Sequence, residues 1–191
     1  MASLIALAQS LGLAYAGGIS LYATIALLGI FERWGWIAAV DGPLAAARSP
    51  WVIGVAFTLT VVEFGATLVP GIASAWEAVH SLIRPPAAAA LAVLLAWHGD
   101  ATLVLTAGLL GGAVGLATHA TKLGVRVAID TSPEPVTNFG ASVAELGMVA
   151  GIVLFLWTHP FLTFAVAVAL MVALLLAVRS VWRTIRRALT A

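Results

Sequence analysis

The sequence has no cysteine among its 191 residues, which excludes thiol catalysis, disulfide bonds and thiolate metal sites. Charged residues are also scarce, at 9% of the chain, whereas a soluble domain carries about 25%. The charges nearly cancel to a net +1, so no basic field indicates nucleic acid as a partner. These shortages disfavour a water-soluble protein.

The residues that are present form long apolar segments. Hydrophobic residues make up 62% of the chain, and the mean hydropathy is +1.10. A membrane-spanning helix needs roughly 20 such residues, and six segments meet or approach that length: 3–31, 50–69, 85–98, 101–126, 138–158 and 160–182. The sequence therefore predicts an all-α fold, a polytopic bundle of about six transmembrane helices that forms a single membrane domain over residues 1–191.

The positions of Lys and Arg predict the orientation of this bundle. With six spans, one side of the membrane receives seven of the nine basic residues, namely Arg84, Lys122, Arg126, Arg179, Arg183, Arg186 and Arg187. Arg33 and Arg48 fall on the other side. Because cytoplasmic loops are enriched in Lys and Arg, we expect a multi-pass protein of the bacterial inner membrane with both termini in the cytoplasm.

Two matched segments indicate an internal repeat, with copies at 1–98 and 101–191. "GGISLYATIALL" (17–28) and "GGAVGLATHATK" (111–122) share five of twelve residues, and "FTLTVVEFG" (57–65) matches "FGASVAELG" (139–147) at Phe, Val, Glu and Gly. Each copy holds three spans, so the second enters the membrane inverted, as in many secondary transporters. The glycine pairs favour close helix packing, within one chain or in a homo-oligomer, although a break there is the alternative.

The repeat pairs two carboxylates within apolar spans, Glu63 and Glu145. Acids at this depth are costly, so they are expected to face the bundle interior or a wet cavity, where they would bind a cation or carry a proton. Thr60 and Ser142 precede them by three residues and share their helical faces. A structural role, with each glutamate hydrogen bonded to a neighbouring helix, is the alternative.

Further polar candidates lie in the two connections and in the fourth span. Between Pro70 and Pro86, the residues Glu77, His80 and Arg84 share one face, which predicts an interfacial or partly re-entrant amphipathic helix. An ordinary linker with solvated charges is the alternative.

His119 is expected within the bundle. Asp130, Glu134 and Asn138 supply oxygen atoms in the second connection, either as a cation vestibule or as a solvated turn.

Motifs for enzymatic chemistry are missing from the sequence. It contains no His-Glu-x-x-His zinc motif and no glycine-rich phosphate loop, so neither an enzyme nor a cofactor is predicted, and metal binding stays open. A lipid-modifying enzyme would need a metal or a nucleophile constellation that the sequence does not display.

The stretches "VEFGATLVPGIASAWEAVHSLIRPPAAA" and "SPEPVTNFGASVAE" resemble a bacterial membrane family, domain of unknown function 4126. The resemblance implies the membrane class and no activity. In the family pattern an Asp-Lys pair stands where this chain has Thr67-Leu68, and an Asp stands where it has Ala73 and Leu146. The resemblance therefore does not carry over a multi-carboxylate metal site.

Together these features predict a transporter or channel for a small solute or a cation, proton-coupled through Glu63 and Glu145. The alternative is a non-transporting scaffold or lipid-binding protein in which the glutamates are structural. Both hypotheses place the chain in contact with membrane lipid.

Overall fold

The computed structural model describes residues 1–69, 71–130 and 135–190. Over these residues every regular element is helical, which confirms the all-α prediction. The α-helices are α1 (Ala2–Ile19), α2 (Leu21–Arg33), α3 (Pro50–Thr67), α4 (Ile72–His80), α5 (Arg84–Leu95), α6 (Ala101–Asp130), α7 (Pro135–Phe155) and α8 (Pro160–Thr190). A 3₁₀ helix, Gly42–Arg48, lies between α2 and α3.

Several of these helices are long and apolar enough to cross a membrane. Within the described residues, α1, α3, α6 and α7 satisfy that requirement singly. Helices α4 and α5 satisfy it as a pair bent by 51°, so the number of candidate spans is four, or five with this pair. Large apolar side chains such as Trp51, Phe57 and Leu109 lie exposed on the outside, as expected for a surface in contact with lipid. The chain is a membrane-embedded helical protein.

The first predicted span is interrupted. Ser20 is extended (φ −148°, ψ 106°) and separates α1 from α2, so the predicted segment 3–31 is interrupted, which fits the alternative of a break near its glycine pair. The Ser20 hydroxyl accepts the backbone N–H of Ala23 at 3.4 Å and thereby caps α2. The break lies just beyond the Gly17-Gly18 pair.

The glycine pairs are packing positions, as the favoured interpretation predicted. A methyl group on Gly18 would lie 2.8 Å from Thr118 Cβ, and a methyl group on Gly111 would overlap Ala92 Cβ. These contacts bring α1, α5 and α6 together around small residues such as Ala14 and Ala88. As a result the break at Ser20 lies directly beside α6.

The third predicted span is also divided. Residues 81–83 form a turn between α4 and α5, and the prolines Pro85 and Pro86 lie in the first turn of α5. Proline is tolerated there because first-turn N–H groups have no partner within the helix. The bend turns Arg84, the first residue of α5, into the interior of the bundle, where its side chain is fully buried.

Candidate functional site

Six charged side chains from five helices meet in the interior of the bundle. Three are acids (Glu63, Glu77 and Glu145) and three are bases (Arg84, Lys122 and Arg126), so the formal charges cancel. Five of these side chains are at most 6% exposed, whereas Glu145 is 17% exposed. Buried charges are tolerated when they are paired in this way. We refer to these six side chains as the ion-pair network.

Lys122 occupies the centre of the network. Its Nζ atom lies 2.9 Å from Glu63 Oε1, 2.9 Å from Glu77 Oε1 and 3.1 Å from Glu145 Oε2. It also donates a hydrogen bond of 2.8 Å to the backbone carbonyl of Ile19. An ammonium has three protons, and it here faces four oxygen acceptors. Its donor capacity is therefore fully used.

The break between α1 and α2 supplies one contact to Lys122 and another to Glu63. In a continuous helix the N–H of Ala23 would bond to the carbonyl of Ile19, but here it bonds to the Ser20 hydroxyl. The Ile19 carbonyl is thus left to Lys122, at the negative end of α1. The Ser20 hydroxyl in turn donates a hydrogen bond of 2.8 Å to Glu63 Oε2. One interrupted turn therefore holds both an acid and a base of the network.

Arg84 connects α5 to the acids of α3 and α4. Its Nη2 atom lies 2.5 Å from Glu63 Oε1, and its Nη1 atom donates to Glu77 Oε2. Nη1 also lies 3.1 Å from His119 Nδ1. Because a guanidinium can only donate, this contact makes Nδ1 an acceptor and assigns the histidine proton to Nε2, 2.8 Å from the Ser81 hydroxyl.

Arg126 binds Glu145 through a bidentate ion pair. Nε lies 3.1 Å from Oε1, and Nη2 lies 2.9 Å from Oε2, a geometry that is stronger than a single charged contact. The same Nη2 donates to Ser142 Oγ at 2.9 Å, and the Ser142 and Thr67 hydroxyls are hydrogen bonded at 2.9 Å. Together these contacts join α3, α6 and α7.

Glu63 and Glu145 share Lys122 and also line one narrow cleft. Its walls include Ser20, Thr60 and Ser142, and its free volume is about 10 Å³. A cavity must offer about 10–15 Å³ to hold a single water molecule. In this conformation the space between the two glutamates does not accommodate a solute.

The structure brings most of the predicted site residues together. Glu63, Glu77, Arg84 and Glu145 belong to the network, while Ser142 and His119 are hydrogen bonded to it. The hydroxyl of Thr60 bonds within its own helix, 2.8 Å from the carbonyl of Ala56, although the residue lines the cleft.

Two predicted residues lie apart from the ion pairs. The His80 ring stacks on Trp76 at 4.4 Å and lies 3.2 Å from Tyr22 Oη. Asn138 is fully buried and accepts from Ser142 Oγ at its backbone carbonyl. The side-chain amide of Asn138 has no hydrogen-bond partner within the described residues. Glu134, its predicted neighbour in a vestibule, lies outside those residues.

The alternative of a solvated linker over residues 70–86 is wrong. Glu77 and Arg84 are completely buried, whereas the apolar residues Val79 and Leu82 are 63% and 83% exposed. The polar face of α4 therefore points into the bundle and pairs with other charges. Its apolar face points outwards, as expected if α4 lies in the membrane as part of a bent span or of a re-entrant segment.

Three of the basic residues from which the orientation is predicted lie buried in the bundle, namely Arg84, Lys122 and Arg126. They cannot act as loop charges in setting the orientation. The asymmetry that remains is the arginine-rich end of α8 against Arg33 and Arg48.

Sequence reasoning missed Lys122 and Arg126 as site residues, together with Ser20 and Thr67. Lys122 and Arg126 are spaced by four residues at the end of the predicted segment 101–126, and therefore share a helical face. The need for cations to balance buried acids could have identified them. Ser20 and Thr67 carry no comparable signal. In the part of the chain that the structure describes, no cluster of three His, Cys, Asp or Glu side chains is arranged to hold a metal.

Comparison with known proteins identifies a family but no activity. Neither a curated protein nor a solved structure matches the chain significantly. The profile described as Domain of unknown function (DUF4126) matches residues 7–182, a range that includes all six charges of the network. The chain belongs to the DUF4126 family.

Proposed function

We propose that the protein exchanges a small cation for a proton across the membrane, with Glu63 and Glu145 as the groups that bind the cation. The observation that carries this proposal is that both glutamates are bound to one ammonium, that of Lys122, at the break in the first span. Interrupted helices that contact buried charges are typical of transporter binding sites.

The proposed architecture has six spans in two inverted repeats. Helices α1 and α2 form one interrupted span, α4 and α5 form one bent span, and α3, α6, α7 and α8 complete the set. The sequence matches at the glycine pairs and around the two glutamates support the repeat. With the arginine-rich end of α8 inside, both termini lie in the cytoplasm of a bacterial cell and the protein resides in the inner membrane.

Charge balance supports exchange rather than simple uptake. The network is neutral, so a monovalent cation that entered would leave one uncompensated positive charge in a low-dielectric interior. The departure of one proton restores neutrality. Lys122 is the group best placed to release the glutamates, because its ammonium is the contact that both of them share. The resulting exchange is electroneutral for a monovalent cation.

Proteoliposomes that contain a pH-sensitive dye test this function. Addition of external Na⁺, K⁺ or tetramethylammonium should raise the internal pH if the added cation is transported. An imposed membrane potential should not change the rate of this rise. The double variant Glu63→Gln/Glu145→Gln should lose this response. Glu32→Gln is the matched control, because Glu32 pairs with Arg48 outside the network. If no tested cation raised the internal pH, the proposal would be rejected.

A second candidate is a membrane scaffold in which the network holds the helices together. The observation that favours it is the small cleft of about 10 Å³ beside charges that are all paired. This function predicts that the double glutamine variant loses thermal stability or its oligomeric state, and that the wild-type protein shows no cation-dependent pH change.

A further inference from the structure

Glu145 also lines a cavity that is larger than the narrow cleft. This cavity has a volume of about 190 Å³ and lies between α1, α6 and α7. Its walls are mostly apolar, with Ile19, Val125 and Met148 among them, and Lys122 and Glu145 form its polar end. An apolar cavity of about 150 Å³ is known to admit benzene. The cavity is therefore large enough for a ligand with a body of that size.

Except for Tyr15, whose phenol can both donate and accept, the polar groups that line this cavity have no free hydrogen-bond donor. Thr118 and Thr121 line it, and their hydroxyl protons are used by the carbonyls of Val114 and Ala117, at 2.8 and 2.7 Å. Each hydroxyl is left with lone pairs only. Lys122 has no free proton, because four oxygen atoms surround its ammonium. Among the polar groups of the lining, a carboxylate ligand therefore finds a donor only at Tyr15, and it would meet the like charge of Glu145.

Glu145 has the properties of the group that receives a ligand. Its side chain is 17% exposed, whereas the other five charged side chains of the network are at most 6% exposed. Its carboxylate accepts three contacts, from Arg126 Nε, Arg126 Nη2 and Lys122 Nζ. Because a carboxylate offers about four acceptor sites, one of them is left for an external donor.

We propose that this cavity binds a small ammonium ion with an apolar body, whose N–H group donates to Glu145 while the body packs against Ile19, Val125 and Met148. This inference rests on the proposed exchange function and names the class of cation for it. Ala144 of α7 lines the cavity and is exposed at the surface of the helix, so it marks the edge through which the ligand enters.

Calorimetric titration of the full chain in detergent tests the binding directly. Benzylammonium should bind with a saturable isotherm. Benzyl alcohol, which keeps the apolar body and a hydroxyl donor but loses the charge, should bind about tenfold more weakly, because the ion pair with Glu145 is lost. Benzoate should not bind. If benzyl alcohol bound as tightly as benzylammonium, or if no ligand bound, the proposal would be overturned.

Two variants test the location of the site. Ala144→Phe should fill the cavity and abolish binding without altering a charge. Val143→Phe is its matched control, because Val143 is 47% exposed and does not line the cavity. Equal loss of binding in both variants would contradict the assignment. Glu145→Gln should weaken benzylammonium binding about tenfold and leave benzyl alcohol binding unchanged.

The outcomes also separate this inference from the exchange function. Saturable binding without any cation-dependent pH change in proteoliposomes, with benzylammonium among the added cations and protein-free liposomes as the blank, would retain the amine site and reject exchange. Exchange of Na⁺ or K⁺ by a protein that binds no benzylammonium would reject the amine site alone.

Discussion

The ammonium of Lys122 lies 2.9 Å from Glu63 Oε1, and this contact joins the two halves of the chain. Arg84 pairs with the acids of its own half, Glu63 and Glu77, while Arg126 pairs with Glu145 in the second half. The first half therefore brings two buried acids and one base, and the second half brings one acid and two bases. Since the two halves carry opposite formal charge in an apolar medium, each neutralises the other.

Removal of the Lys122 charge should destabilise the protein severely. Lys122→Met leaves three carboxylates against two guanidinium groups, and loss of one partner of a buried ion pair costs about 3–5 kcal/mol. Adding Glu63→Gln should recover part of the loss, because the double variant is again neutral. Unfolding in mixed detergent micelles measures the free energies. If the two single losses simply added in the double variant, the charge-balance explanation would fail.

Ser20→Ala should cost about 1 kcal/mol in the free energy of unfolding, because Ser20 caps α2. The loss of its hydrogen bond to Glu63 adds to this cost. Ser10→Ala is a matched control in α1, since the Ser10 hydroxyl is buried and has no partner within the described residues. Its removal should be neutral or stabilising. Equal losses in the two variants would show that the cap at the break contributes nothing specific.

The pairing of Glu63 with Glu145 illustrates what the sequence can predict. An acid in an apolar span is expected to face the interior, and the match between the two sequence segments predicts that the two positions correspond. The identity of their partners could not be deduced, because Lys122 lies 59 residues from Glu63 along the chain. Only the folded arrangement of α3 and α6 brings them together.

The break at Ser20 shows a different limit. The sequence around it is apolar and matches a continuous span, so hydropathy cannot locate the interruption. The energetic reason for the break is tertiary, since Lys122 and Glu63 compensate the backbone and hydroxyl groups that the break exposes. The inward-facing charges of α4 escaped prediction for the same reason, because their partners lie on α3 and α6.

Arg126→Lys should lower stability although it conserves charge. A lysine cannot reproduce the bidentate ion pair with Glu145 together with the hydrogen bond to Ser142. We expect a loss of about 1–2 kcal/mol, of the order of one charged hydrogen bond. Arg48→Lys is the control, because the Arg48 side chain is 59% exposed and its contact with Glu32 is 3.6 Å. The control should change the free energy of unfolding by less than about 1 kcal/mol.

Gly115→Ala should be destabilising and should also impair exchange. A methyl group on Gly115 would overlap Ala88 Cβ of α5, and crowding of a packed interface costs about 1–3 kcal/mol. Because Lys122 lies two turns further along the same helix, displacement of α6 would move its ammonium away from the Ile19 carbonyl. Gly147→Ala is the control, because a methyl group there meets open space and alanine favours the helix by about 1 kcal/mol. Thermal unfolding and the proteoliposome pH assay check both effects. If Gly115→Ala matched Gly147→Ala in both measurements, close packing of α5 and α6 would not be what positions Lys122.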